Sequence, residues 1–483
     1  MIRSVTSAGV GFLAAVALAG APSWAAEYRL DQSGGTRIIL TDNVEQAPDD
    51  EKESAVIGRV DMTTQFTATG RRLDFRLNSS LGLETRNGSS DITVDQRVNA
   101  NGTLALVPHH LFVDAAASTN RVLVDVQAVP SQDRASSDED TETVNIFEIS
   151  PYARYVFAED IEAVARVRHR EVLTTEGTDL SVKSREREMQ QSLLVDTRRQ
   201  FGRLSFEGLL DRRTTERIED EDDDRDDGAD FETVSGSVTA RYALDRWTAA
   251  IGQVGYDWID LDGADDDLGG VFWSAGLQFS SARGTLLLTY GHRYNDQEFG
   301  ASANYAITPR LQVQGSLSRT LETSLGRYSR IQAERRGQAE DNIAALNQHR
   351  TGDSDDVALT YEGDLGISAA YRRNTFGLSG SFLNREYVSG DSASQTETSV
   401  SAAANWNRAL NRRLQSSLSI QASHSEGSDV ADALTVSGRG ELTYAITKNG
   451  SVYGGLSHRR RFSDDPDNEY TENTVFFGGR ISF

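Results

Sequence analysis

The chain has no cysteine, and only three methionines, seven prolines and seven histidines among its 483 residues. Without cysteine there is no disulfide, no thiolate nucleophile and no cysteine-ligated metal or iron–sulfur centre. Basic charge is the next shortage: 49 basic residues stand against 73 acidic ones, a formal net charge of −24. A general nucleic-acid binder needs a basic footprint, so no nucleic-acid partner is expected. Uninterrupted apolar sequence is scarce as well. Hydrophobic residues make up 38% of the chain, and beyond residue 25 no uncharged run approaches the ~20 residues of a membrane helix. By length alone the chain would hold about three soluble domains. Its low hydrophobicity still leaves a β-barrel open, because a barrel strand is apolar only at alternate residues.

What is present begins with an export signal over residues 1–25. Arg3 gives a short positive start, the stretch from Val10 to Ala19 an apolar core, and Ser23-Trp24-Ala25 a small-residue cleavage site. The mature part, 26–483, then alternates with period two. Over 72–86, Leu73, Phe75, Leu77, Ser79, Leu81 and Leu83 share one face, while Asp74, Arg76, Asn78, Ser80, Gly82 and Glu84 share the other. This is a strand with one apolar and one polar side, long enough to span a bilayer. The pattern recurs at 91–106, at 161–170 and at 413–422. Short turns alternate with longer polar connections, the layout of a barrel with periplasmic turns and outer loops. Eleven ascending strands are predicted at 28–43, 71–87, 111–125, 161–175, 201–216, 246–261, 284–293, 311–325, 375–388, 412–424 and 450–462. With their descending mates they predict an all-β fold, a large transmembrane antiparallel β-barrel of 22 strands (range 18–24). Polar outer connections are expected at 126–142, 217–229, 262–268, 389–394, 425–429 and 463–467.

The largest outer connection is expected over 326–364, followed by a short strand. Its first part, 326–350, loses alternation and suits a partial helix, either folded inward as a constriction or projecting outside. Aromatic residues predict two interface belts. Tyr242, Trp247, Tyr305, Trp406, Tyr444 and Tyr453 lie near the short turns; Tyr256, Trp258, Trp273, Tyr290, Tyr294 and Tyr387 lie towards the outer ends. The closing strand puts Val475, Phe477, Gly479, Ile481 and Phe483 on one face. Phe477, Ile481 and the terminal Phe483 resemble the signature that the barrel assembly machinery reads at the end of outer-membrane barrels.

Four stretches carry a narrower resemblance: Ile39-Leu-Thr-Asp-Asn-Val44, the alternating strand at 72–84, Asn411-Arg-Arg-Leu-Gln-Ser-Ser-Leu-Ser-Ile420, and Tyr470-Thr-Glu-Asn-Thr474 leading into Val475. In these the chain resembles the outer-membrane β-barrel porins associated with exopolysaccharide loci, including the PEP-CTERM-system-associated barrels. The resemblance implies a Gram-negative outer-membrane location and a role in surface or exopolysaccharide export, with polysaccharide-export components as partners beside outer-membrane lipid.

With the polar faces turned inward, the lumen would carry Arg76, Arg97, Arg166, Arg168, Arg170, Arg203, Arg413 and Arg480 beside Asp74, Glu84, Asp95, Glu207, Asp211 and Gln415. Mixed charge suits a water-filled channel for hydrophilic solutes. The ladder Arg166/Arg168/Arg170 reads either as an anion-selective track or as routine charges paired with neighbouring carboxylates. The acidic run Glu219, Asp220, Asp222, Asp224 and Asp226 offers oxygen ligands for a divalent cation but lacks the twelve-residue calcium-loop spacing, so a solvated outer loop competes. No histidine stands in a zinc spacing, and no nucleophile–base pattern is present. No enzyme activity and no cofactor is therefore expected, and no metal site apart from the divalent alternative at that acidic run. A passive channel or export barrel leads; a non-conducting assembly component and a general diffusion porin are the alternatives. A gated iron-complex transporter shares the strand count but needs an N-terminal plug. Strand pattern begins almost at residue 26, so no separate plug domain is expected.

Overall fold

The computed structural model describes residues 26–483 except 88–91, 124–140, 158–159, 177–181, 198–201, 219–229, 262–267, 335–355, 390–394 and 429. The expected signal at 1–25 and the acidic run at 219–226 lie outside the described residues.

Twenty-two strands make one sheet. The first eight are β1 (Glu27–Thr41), β2 (Ala55–Thr69), β3 (Leu73–Arg86), β4 (Ile92–Val107), β5 (Leu111–Leu123), β6 (Thr141–Phe157), β7 (Ile161–Glu176) and β8 (Val182–Thr197). Next come β9 (Leu204–Ile218), β10 (Phe231–Ala243), β11 (Thr248–Leu261), β12 (Gly270–Ser281), β13 (Gly284–Arg293), β14 (Asp296–Thr308) and β15 (Leu311–Thr323). A helix, α1 (Ser324–Glu334), follows β15. The ring finishes with β16 (Val357–Tyr371), β17 (Asn374–Tyr387), β18 (Thr396–Ala409), β19 (Leu414–Gly427), β20 (Val430–Ala445), β21 (Gly450–Ser463) and β22 (Tyr470–Ser482).

Each strand pairs antiparallel with its neighbours in sequence, and β1 pairs with β22 from Ser33–Ser482 to Thr41–Thr474. Closure satisfies the backbone without helices, which is what allows a strand to cross lipid. The sequence alternation becomes an inside and an outside. On β3, Leu81 and Leu83 are exposed on the outer wall, while Glu84 turns inward to an ion pair with Arg59. Ten short turns join the strands at one rim. Their register is set by a recurrent bond in which a strand-terminal alanine N–H donates to the carbonyl of a basic turn residue, as in Ala243 to Arg203, Ala306 to Arg283 and Ala445 to Arg413.

Four expectations are corrected. Residues 357–364 are strand, not loop: β16 is 15 residues long, because its Thr360, Glu362 and Asp364 keep the polar inward face of a wall strand. At 425–429 there is no long loop, since β19 and β20 run to within two residues of each other. β13 and β14 likewise meet in a two-residue turn, Tyr294-Asn295, with both φ angles positive (52° and 61°), the geometry that fits a hairpin's twist. The belts keep Tyr242, Trp247 and Tyr444 at one end and Tyr256, Trp258, Trp273 and Tyr290 at the other, all exposed. Tyr453 and Tyr387 instead face the lumen, where they bond Arg37 and Glu397, and Tyr294 packs on an interior apolar cluster.

In the β10–β11 turn, Asp245 accepts hydrogen bonds from the backbone N–H groups of Trp247 (2.6 Å) and Thr248 (3.0 Å). These donors, Trp247 first, hold its carboxyl below the usual aspartate range. A lowered carboxyl stabilises the fold above its unfolded pKa and loses that contribution as pH falls through the folded value. Asp245→Asn should therefore abolish an acid-side component of the stability profile, measured by thermal unfolding between neutral pH and pH ~3; an unchanged profile would remove Asp245 as its source.

Candidate functional site

The interior of the ring is where this barrel departs from a plain tube. α1 leaves the end of β15 and runs into the lumen, so the inward alternative for this segment is the one adopted. Thr323 caps its first turn, accepting from the N–H of Gly326 (2.9 Å). The same hydroxyl donates to Glu186 of β8 (2.7 Å), on the far side of the ring. Leu325 and Tyr328 pack against Val144 and Ile146 of β6 and Val172 of β7, every one of them buried. Beside this patch Arg170 of β7 donates to Ser329 (3.0 Å).

The opposite face of α1 is held by charge. Arg330 pairs with Glu322 of β15 (2.8 Å) and Glu362 of β16 (2.6 Å), and Arg327 pairs with Glu362 (3.2 Å). Arg385 of β17 donates to the Ser324 hydroxyl and pairs with Glu397 of β18 (3.3 Å). α1 is thus a buried bridge, tied to β6–β8 by apolar contacts and hydroxyls and to β15–β17 by guanidinium–carboxylate pairs. Buried charge is tolerated only when paired in this way.

Two further apolar clusters sit inside the wall. Phe231, Leu321, Val357 and Leu359 enclose Leu268 of the β11–β12 connection. Ile39, Ala55, Ile57 and Phe476 enclose Val44 of the β1–β2 connection. There Phe476 lies beneath Arg439, whose guanidinium carbon is 3.8 Å from the ring centroid.

The predicted arginine ladder is on the lumen face, and its members are paired. Arg166 pairs with Asp114 (2.8 Å) and lies over the Tyr152 ring at 4.1 Å. Arg168 donates to Gln190 (2.8 Å), which donates to Asp211 (2.7 Å). Arg170 pairs with Glu148 (3.1 Å) and Glu188 (3.4 Å). The geometry is that of neutralised charges rather than a free cationic track. Asp95 joins Asp61 and Glu84 around Arg59, Arg97 shares the inward face of β4 with it, and Arg76 stands 3.7 Å from Asp74. Arg480 sits near the short-turn end of β22.

Arg203 and Arg413 are corrected: both lie in short turns just before β9 and β19, not in the wall. Arg203 instead reaches the Leu244 carbonyl of the neighbouring turn. Phe477, Ile481 and Phe483 point outward and are exposed.

Sequence reasoning passed over the seat of α1, although a signal existed. Val144 and Ile146 share parity with Glu142 and Glu148, and Val172 shares parity with Arg166, Arg168 and Arg170. Apolar residues on a charged face mark a place where something must cover the wall. Phe476, in step with Thr474 and Arg480, carries the same mark. Among the described residues no group of histidines and carboxylates is placed to hold a metal ion.

No family model matches the sequence, and no curated protein matches it. Solved structures do resemble it. The FrpB iron transporter of Neisseria meningitidis (F5-1 variant, apoprotein form) aligns over 94% of this chain and 81% of its own, with 9% identity and a TM-score of 0.51. The siderophore receptor PirA of Acinetobacter baumannii covers 94% and 80% at 9% identity, with a TM-score of 0.49. The ferric-catecholate import receptor Fiu of E. coli K12 covers 94% and 82% at 10% identity, also at 0.49. At such identity the FrpB likeness is one of fold. The chain is a closed, 22-stranded antiparallel β-barrel of the outer-membrane type, with a helix bridging its lumen.

Proposed function

We propose that the protein spans the Gram-negative outer membrane, short turns towards the periplasm, and provides a pathway for a hydrophilic solute that α1 constricts. The carrying observation is the buried helix tied to both sides of a polar, charge-paired lumen. An apolar outer wall with exposed aromatic residues near both ends supports the membrane location. The sequence resemblance to exopolysaccharide-associated barrels supports a surface-glycan export system as the setting, with the assembly machinery reading the Phe477/Ile481/Phe483 strand. A second reading, a non-conducting assembly component of such a system, is favoured by the completeness of α1's burial.

Planar-bilayer conductance separates the two. Wild-type protein should give small or rare openings. Replacing 324–356 by a short glycine–serine linker should raise unitary conductance severalfold. A barrel that still folds but conducts no more without α1 than with it would sink the pathway and leave the assembly reading.

A further inference from the structure

The charge of this acidic chain is distributed unevenly, and the short-turn rim is basic. Among the described residues of the ten short turns, ten exposed cations stand against two carboxylates, Asp160 and Asp245. The cations occur in eight of the ten turns, with Arg71, Arg246, Arg310, Arg372 and Arg412 among them, so they form a collar rather than a patch. Two of its members lie over exposed aromatic rings of the same rim. The Arg246 guanidinium lies 4.8 Å over the Trp247 ring, and that of Arg372 lies 5.3 Å over the Tyr371 ring. Both rings are exposed at this rim, and Tyr371 keeps the outward parity of Leu365 on β16, at the depth where lipid headgroups meet the hydrocarbon.

We infer that this collar binds the phosphate groups of anionic phospholipids in the leaflet surrounding the short-turn rim. A ring of exposed guanidinium groups beside exposed aromatic rings matches a circumferential layer of headgroups. A single docked protein would call for a one-sided patch. Guanidinium forks suit phosphate oxygens, and basic residues at a membrane surface attract anionic lipid within a Debye length. Three collar arginines, Arg203, Arg283 and Arg373, also bond backbone carbonyls of an adjoining turn or of the strand end beside it, which holds part of the collar in place before lipid arrives. The inference rests on the membrane-spanning reading above but not on conduction.

The test is lipid selectivity of the full-length barrel in phosphatidylcholine vesicles containing spin-labelled phosphatidylglycerol or spin-labelled phosphatidylcholine. Wild type should retain phosphatidylglycerol severalfold over phosphatidylcholine at low salt, and lose most of that preference at high salt. The combined variant R71Q/R246Q/R310Q/R372Q/R412Q, which leaves the carbonyl-bonded arginines intact, should lose most of it at low salt. Should that variant not fold, R246Q/R372Q is expected to lower the preference by a smaller, measurable step. R187Q/R212Q, on the outer wall near the opposite rim, should keep it. Equal retention of both lipids by wild type would overturn the assignment and leave an acidic macromolecule as the collar's counterpart. So would a preference that survives the five substitutions. A barrel that selects phosphatidylglycerol yet never conducts would uphold the collar and sink the pathway.

Discussion

Arg170→Gln is expected to unseat α1 and destabilise the barrel by about 3–5 kcal/mol, the range for removing one partner of a buried ion pair. Arg170 is almost wholly buried and stands between the carboxylates of Glu148 and Glu188 while holding the Ser329 hydroxyl. Glutamine fills part of the volume but supplies no charge, so two buried carboxylates would lose the guanidinium they share, with Arg168 3.8 Å from Glu148. Relief comes by admitting water, which means lifting α1. The same variant should therefore show a lower unfolding midpoint in detergent and a higher conductance in bilayers. Ser329→Ala separates these effects. It removes one neutral hydroxyl and leaves both ion pairs, so it should loosen the helix with a cost of only about 1 kcal/mol. If Arg170→Gln lowers stability while conductance stays at the wild-type level, Arg170 supports the wall and not the helix.

The second large effect is expected from two adjacent phenylalanines on opposite sides of one strand. Phe476→Ala should cost about 3–5 kcal/mol, because Phe476 is buried to 1% exposure. Its ring packs with Ile39, Val44 and Ile57 and carries Arg439 on its face. It also fills the space above Gly455, where a Cβ would come within 2.5 Å of the ring. Phe477→Ala should cost about 1 kcal/mol or less by the same unfolding measurement in micelles, since its ring is 50% exposed on the outer wall, where an apolar surround remains an apolar surround. Its larger effect should fall on the rate of assembly into membranes. Equal equilibrium losses for the two variants would show that the interior cluster contributes nothing special to closure.

These cases show where the sequence was legible and where it was not. Parity along each strand is a local property, so the eleven ascending strands, the inward arginines and the outward Phe477 could be read from alternation alone. Where parity is mixed, as at Ile146 beside Glu148 or Phe476 beside Thr474, alternation says that a residue breaks its face but not what covers it. The partner of Ile146 lies on α1, far along the chain, and no local pattern carries that distance. The same holds for the pairing of the arginine ladder. Arg166 reaches Asp114 of β5 because the sheet register brings them together, and register between strands is not written in either strand by itself. Turns failed for a different reason: Arg203 and Arg413 keep the parity of their strands by one residue beyond the last ladder bond, so they look like wall residues while lying in the rim.

The seam between β1 and β22 is fastened unequally along its height. At the long-loop end Asp42 accepts from the backbone N–H and the side-chain amide of Asn473, Thr41 donates to Glu472, and Asn43 donates to the Thr471 carbonyl. At the other end the ladder stops at Ser33, and Glu27–Asp31 pair with β2 alone. The ring is therefore buckled at the top and open-hemmed at the bottom. Amide protons of β1 should exchange with solvent in a gradient from Glu27 upward, and a barrel pulled or heated apart should part from its short-turn hem, with the clasp at Asn473 the last stitch to give.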